Sequence, residues 1–194
     1  MKKAAMFGLD ARIALAIFGA LSVISGAALY SAIESAKVTQ VVTELNEYSK
    51  AIEAYALDTG SLMPVKAHTI LDLNELVTSS TTGWQGPYIS QTVVDYPTYC
   101  TKCMISNSAT AFTTVEQYVD NQAASNTWKI DTCTSGVGCT VWISLANEPY
   151  DFLSKIDEYV DGTTDRGKGN FRISGATTVF NGWYNTGINV DQLR

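Results

Sequence analysis

Between Arg12 and Glu34 the chain carries no charge for 21 residues, Ile13 to Ile33. As a helix rising 1.5 Å per residue, that run is about 31 Å long, enough to cross the hydrocarbon core of a bilayer. An apolar segment of this length predicts a membrane span, or a signal sequence that imitates one. Lys2 and Lys3 in the leader, with Arg12 just before the run, favour a cytoplasmic N-terminus. Everything after Glu34 is then expected on the far side of the membrane.

The apolar period continues beyond the span through Val38, Val41, Val42, Leu45, Tyr48, Ile52 and Tyr55, at steps of three and four. Glu34, Lys37, Glu44, Glu47, Lys50 and Glu53 fall between these positions. The pattern predicts one continuous helix of about 45–50 residues, apolar all round in its first half and amphipathic in its second. The first half wants lipid or other helices, and the second wants a globular partner. Asp58-Thr59-Gly60 is the expected stop, since glycine supplies the left-handed conformation common at helix ends and Pro64 prevents resumption.

These features resemble the type IV pilin and type II secretion pseudopilin family. The leader Lys2-Lys3-Ala4-Ala5-Met6-Phe7-Gly8 resembles a class III prepilin leader. The resemblance implies cleavage after Gly8 to leave Leu9 as an N-methylated first residue. Tyr55-Ala56-Leu57-Asp58-Thr59-Gly60 with Pro64 is similar to the end of the long pilin helix, and Gly83-Trp84-Gln85-Gly86-Pro87-Tyr88-Ile89 to a Trp-x-Gly-Pro-Tyr segment of major pseudopilins. Three matches in the right order, covering roughly the first 90 residues, are more specific than any one of them. One position departs: the glutamate usual five residues into the mature chain is Ile13 here. Asp10 could supply that assembly charge from one turn earlier; otherwise Asp10 and Arg12 are flanking charges that snorkel to the headgroups.

The expected domains are a leader at 1–8, a transmembrane and assembly half-helix at 9–33, an amphipathic half-helix at 34–59 and a globular head at 60–194. In the head, Thr69 to Val77 reads as a short helix with Thr69 and Asp72 spaced like a capping box. Strands are expected at Ala111–Val119, Thr127–Ile130, Thr140–Leu145 and Phe171–Tyr184, the last interrupted by Gly175 and Gly182. The fold class is therefore α+β, pilin-like: a long N-terminal helix laid on a C-terminal antiparallel sheet. Trp128, Trp142, Phe171, Phe180 and Trp183 are expected as core or half-buried sheet residues.

Of 13 basic and 19 acidic residues, Lys2, Lys3, Arg12 and Asp10 precede residue 34, which leaves the exported part at net −8. Such a surface repels phosphates, so no nucleic-acid partner is expected. Cys100, Cys103, Cys133 and Cys139 all lie in the exported part, where an even count points to two disulfides. Local pairing and cross-pairing are both open. Two sharper readings are a Cys-x-x-Cys redox pair at Cys100 and Cys103, and a four-thiolate zinc site.

The stretch Asp157 to Asn170 alternates carboxylates with glycines, as a hard, oxygen-ligated cation requires. It resembles the calcium loop near the C-terminus of major pseudopilins, with Asp161 and Asp165 as candidate ligands. Arg166 and Lys168 interrupt it, and a solvated turn is the alternative. No cofactor other than this calcium is expected. Catalysis has little support: His68 is the single histidine, and no serine elbow, histidine pair or phosphate loop is present. Asp157 and Glu158 are expected to face water on a helix.

The resemblance implies a structural subunit of a type IV pilus-like or type II secretion pseudopilus filament. Its partners would be copies of itself, a prepilin peptidase, the inner-membrane assembly machinery and, before assembly, lipid. The place would be the bacterial inner membrane, single-pass, with the head periplasmic or in an extracellular filament. Small residues at Gly19, Ser22, Ser25, Gly26 and Ala27 offer faces for close helix approach. The alternative is a membrane-anchored or secreted ligand-binding module that does not polymerise, which includes ordinary signal cleavage after Ala27 or Ala28. A thiol oxidoreductase using Cys100 and Cys103 is a third class.

Overall fold

The computed structural model describes residues 3–96, 100–106, 113–119, 131–132, 139–176 and 179–190. The chain divides into two units, residues 1–39 and 40–194. Helix α1 spans Lys3–Thr59. In the first unit, the side chains from Ile13 to Ile33 are exposed throughout. This is an arrangement that water does not favour and lipid or other helices do.

In the second unit, α1 buries Val41, Val42, Leu45, Tyr48, Ile52, Tyr55 and Ala56. All but Ala56 are positions the three-four period selects. Gly60, at φ +70°, ends the helix by donating its N–H to the Ala56 carbonyl at 2.9 Å. The left-handed conformation that this cap demands is open to glycine at no steric cost.

The other elements are β1 (Val65–Ala67), β2 (Ile70–Leu71), a 3-10 turn (Leu73–Leu76), β3 (Thr92–Tyr96), β4 (Cys100–Ser106), β5 (Thr113–Val119), β6 (Asp131–Thr132), β7 (Cys139–Glu148), α2 (Tyr150–Asp161), β8 (Phe171–Ala176) and β9 (Val179–Asn189). Among the described residues the strands form one nine-stranded antiparallel sheet. Its main order is β1-β2-β5-β7-β9-β8; β4 pairs with both β3 and β5, and β6 pairs with β5.

β7 lies between β5 and β9 and is buried on both faces. Register places Val115, Ile143, Tyr184 and Phe171 side by side on one face, with Val141, Leu145 and Ile173 two residues along. That face meets the amphipathic half of α1, where the Tyr184 hydroxyl donates to Asn46 Oδ1 at 2.9 Å and the Ser49 hydroxyl to the Thr186 carbonyl at 3.4 Å. It also meets α2: a Cβ on Gly182 would stand 2.5 Å from Phe171 Cζ and 2.8 Å from Leu153 Cδ2, so only glycine lets helix and strand approach so closely. The opposite face is mixed. There the Trp183 indole donates to Ser174 Oγ at 2.7 Å, Thr114 and Ser144 share a hydrogen bond, and the Arg172 guanidinium lies 4.8 Å from the Trp142 ring centroid.

The expected α+β, pilin-like arrangement is therefore the observed one. Trp142, Phe171 and Trp183 are buried and Phe180 is half-buried; Trp128 lies outside the described residues. Three local readings are corrected. Thr69 to Val77 is not a short α-helix: Ile70 pairs in a strand, and Asp72, not Thr69, caps a single 3-10 turn by accepting from the Asn74 N–H at 3.2 Å. Sheet pairing wins over helix propensity in so short a segment. Strands β3 and β4 fall where no strand was expected. β5 begins at Thr113; Ala111 and the expected Thr127–Ile130 strand lie outside the described residues. Between β7 and β8 stands the amphipathic helix α2, and Asp157 on it is buried, not water-facing.

Candidate functional site

Three places, together with the cysteines, carry the residues singled out by the sequence. In the first unit, Gly8, Asp10 and Arg12 lie on α1 and are exposed; the Leu9 side chain lies outside the described residues. An 18-residue window of α1 reaches a mean hydropathy of 2.1 with none of it buried, so the helix is long and apolar enough to cross a membrane. Gly19 and Gly26 have open space where a Cβ would stand, and Ser22 returns its hydroxyl to the Phe18 carbonyl at 2.8 Å. The side of the helix bearing them is smooth and free of competing polar demand.

The second place is the junction after α1, where the Trp-Gln-Gly-Pro-Tyr segment binds the helix end. The Glu75 carboxylate accepts from the Tyr55 hydroxyl at 3.2 Å, from Thr81 Oγ1 at 3.3 Å and from the Ser79 hydroxyl. The Trp84 indole donates to the Glu75 carbonyl at 2.8 Å, and the Tyr88 hydroxyl to Asp58 Oδ2 at 2.7 Å. Tyr88 meets both Tyr55 and Trp84 edge to face at 6.0 Å. Burial raises the pKa of Tyr55 and of Tyr88, and the neighbouring carboxylates Glu75 and Asp58 add to the rise. Both phenols stay protonated as donors at any physiological pH. Gly83, at φ +91°, passes so close that a Cβ would lie 2.3 Å from the Asp58 carbonyl oxygen. Glu75 was not singled out in the sequence, where nothing distinguishes it from a surface carboxylate.

A disulfide joins Cys100 and Cys103, with Cα atoms 5.8 Å apart, so one pairing is local. Cys139 is also disulfide-bonded; Cys133 lies outside the described residues. Cys100 and Cys103 pack with Ile70 and Ala67. Cys103 is fully buried, and both sulfurs sit in a strand rather than at a helix N-terminus, the setting that activates a thiol.

The third place is the α2–β8 connection, residues 162–170. Asp161 accepts the Asn170 N–H at 2.9 Å on Oδ1 and the Phe171 N–H at 2.7 Å on Oδ2. Gly169, at φ +87°, folds the backbone directly over this carboxylate. Asp165 accepts the Gly167 N–H at 3.2 Å and pairs with the Lys168 ammonium at 3.1 Å, which lowers its pKa. Asp157, one turn before Asp161, is fully buried, and neither of its oxygens has a donor. Burial first, then the charges of Asp161 and Asp165, push its pKa up to about 7. A neutral Asp157 can hydrogen-bond to Asp161 with its own proton. The sequence does hold a signal for Asp157: it follows Leu153 by four and Ile156 by one, on the apolar side of an amphipathic helix.

As a calcium site this donor set is short of ligands. The ion takes six to eight converging oxygens. Both oxygens of Asp161 already accept backbone N–H groups, and Asp165 holds an ammonium. Among the described residues no three His, Cys, Asp or Glu side chains converge on a point.

A long N-terminal helix, apolar and bare in one half, amphipathic and laid on an antiparallel sheet in the other, defines a pilin-like subunit. The family model described as type II secretion system (T2SS), protein G matches residues 28–129, a little more than half of the chain. The chain belongs to the type II secretion system protein G family. No curated protein and no solved structure matches it significantly.

Proposed function

We propose that this protein is a structural, non-catalytic subunit of a type II secretion pseudopilus, cleaved after Gly8 and polymerised through its N-terminal helix. The observation that carries the reading is the run from Ile13 to Ile33, helical and exposed on every side. An apolar surface of that extent must be covered by lipid before assembly and by neighbouring helices after it. Membership of the family supports the reading that a prepilin peptidase and an inner-membrane assembly platform act on the chain, and the basic leader supports a cytoplasmic N-terminus with the head periplasmic. Within the filament Asp10 takes the charge role that Ile13 cannot, pairing with the terminal amine of a neighbouring subunit. An unpaired amine among apolar helices would otherwise be costly.

The test is the mass and N-terminal sequence of the protein recovered from the membrane and sheared-surface fractions of its native host, alongside Gly8→Ala. A methylated Leu9 in the parent and an unprocessed Gly8→Ala variant are expected. A start at Ala28 or Leu29 would make the protein a soluble exported module, and an intact Met1 would make it a simple membrane anchor. Either result ends the filament reading.

A further inference from the structure

The α2–β8 loop sits where the family resemblance leads one to look for calcium, yet the chain fills that place with its own groups. We infer that the loop of residues 162–170 is closed by backbone N–H groups gathered on Asp161 and by two of the chain's own cations, Lys168 and Arg172, and binds no calcium. This goes beyond the filament reading and does not depend on it.

Asp161 is the anchor. Its two oxygens take consecutive N–H groups, Asn170 and Phe171, which is how a backbone concavity holds an anion. Gly169 makes the concavity possible, because a Cβ there would stand 2.3 Å from Asp161 Oδ2 at a φ that other residues rarely adopt. A cation that drew Asp161 outward would strip the exposed Asn170 N–H and the part-buried Phe171 N–H of their acceptor, and only the second has no ready access to water in exchange.

Four of the loop carbonyls are engaged as well. The Arg166 carbonyl accepts from the Ile173 N–H at 2.9 Å, the Asn170 carbonyl from the Asn185 N–H at 2.7 Å and the Asp165 carbonyl from the Lys168 N–H at 3.2 Å. The Gly169 carbonyl accepts from Arg172 Nε at 3.2 Å. Arg172 is 2% exposed, so a calcium ion on that carbonyl would face a guanidinium that water cannot screen. Lys168 neutralises Asp165 from the solvent side. Arg166 is engaged elsewhere, its guanidinium lying over the adjoining Tyr150 and Phe180 rings at 5.3 and 5.2 Å, with its Nη2 on the Gly175 carbonyl at 3.0 Å. Asp157, whose two buried oxygens have no donor, adds one carboxyl group, which is far from a six-oxygen shell.

The experiment uses the full chain in detergent micelles. Its thermal midpoint is read in excess EGTA and in excess calcium chloride, and bound calcium is measured by equilibrium dialysis. The same midpoint in both media and no retained calcium are expected. Asp161→Asn is expected to lower the midpoint equally in the two media, since it weakens a backbone anchor and not a metal ligand. Asp165→Asn, at the exposed ion pair, is expected to shift it little. A midpoint raised by calcium in the parent chain, with about one ion retained per chain, would overturn the inference. If Asp161→Asn does not fold, the parent chain's response to calcium still decides.

Discussion

Asp157 is the residue whose chemistry depends most on its surroundings. It is fully buried, and the groups facing it are the carboxylates Asp161 and Asp165, with the Tyr184 phenol close enough to Asp161 for burial and that charge to raise its own pKa. Because the folded-state pKa, about 7, lies above the ordinary 3.8, the folded chain keeps a proton that the unfolded chain has lost. The stabilisation is complete below pH 3.8, falls as pH rises towards 7 and is gone above it. Asp157→Asn removes this cost while keeping the shape. Relative to the parent, the variant is expected to gain about 2–4 kcal/mol between pH 4 and pH 8, read as the difference in urea midpoints at each pH. A difference that stays flat across that range would show that Asp157 is ionised in the folded protein. Asp165 works in the opposite sense, its pKa lowered by Lys168, but it is exposed and its contribution is correspondingly small.

At the scale of elements, the end of α1 depends on a clamp built from residues 20 to 30 positions away. Gly83→Ala would push a methyl into the Asp58 carbonyl and force a strained backbone, which is expected to cost about 2–4 kcal/mol. Glu75→Gln keeps the shape but exchanges a charged acceptor for a neutral one, and a loss of about 1 kcal/mol is expected from its three hydroxyl contacts. Chemical denaturation of the two variants checks both values, and equal stability to the parent would show that α1 ends without help from the clamp. The Cys100–Cys103 bridge closes a very short loop, so Cys100→Ser together with Cys103→Ser should cost about 2 kcal/mol. The parent chain should show no disulfide reductase activity, because Cys103 is inaccessible. The helical period of α1 and its glycine stop were legible along the chain. So was the tract that became β7, because apolar β-branched residues leave few alternatives. Strands β3 and β4 were not legible: Thr92–Tyr96 and Cys100–Ser106 are short and of mixed polarity, and become strands only because partners saturate their backbone. For α2 the sequence put Asp157 and Glu158 on a helix but facing water, and the apolar side of that helix, Leu153 and Ile156, has meaning only against β8.

At the scale of the whole molecule, the two units ask for different surroundings. A chain beginning at Glu34 loses the exposed apolar run and keeps the whole of the second unit, so it is expected to be soluble and monomeric with the sheet intact. Circular dichroism and size-exclusion chromatography check this; aggregation of such a chain would mean that the head needs the first half-helix to fold. The sequence alone determined the half-helix long and apolar enough to cross a membrane, the amphipathic half that follows it and the family to which both point. These are written in local periodicity and composition, which survive without any partner. It also placed the candidate residues Asp161 and Asp165 in one loop. Only the tertiary structure decided what those residues do, because hydrogen-bond donors from Asn170 and Phe171, a cation from Arg172 and the burial of Asp157 come from elements that meet solely in the folded chain. Contacts between distant segments set the local dielectric and the supply of donors, and those two quantities determine whether a carboxylate holds a metal, a proton or a loop.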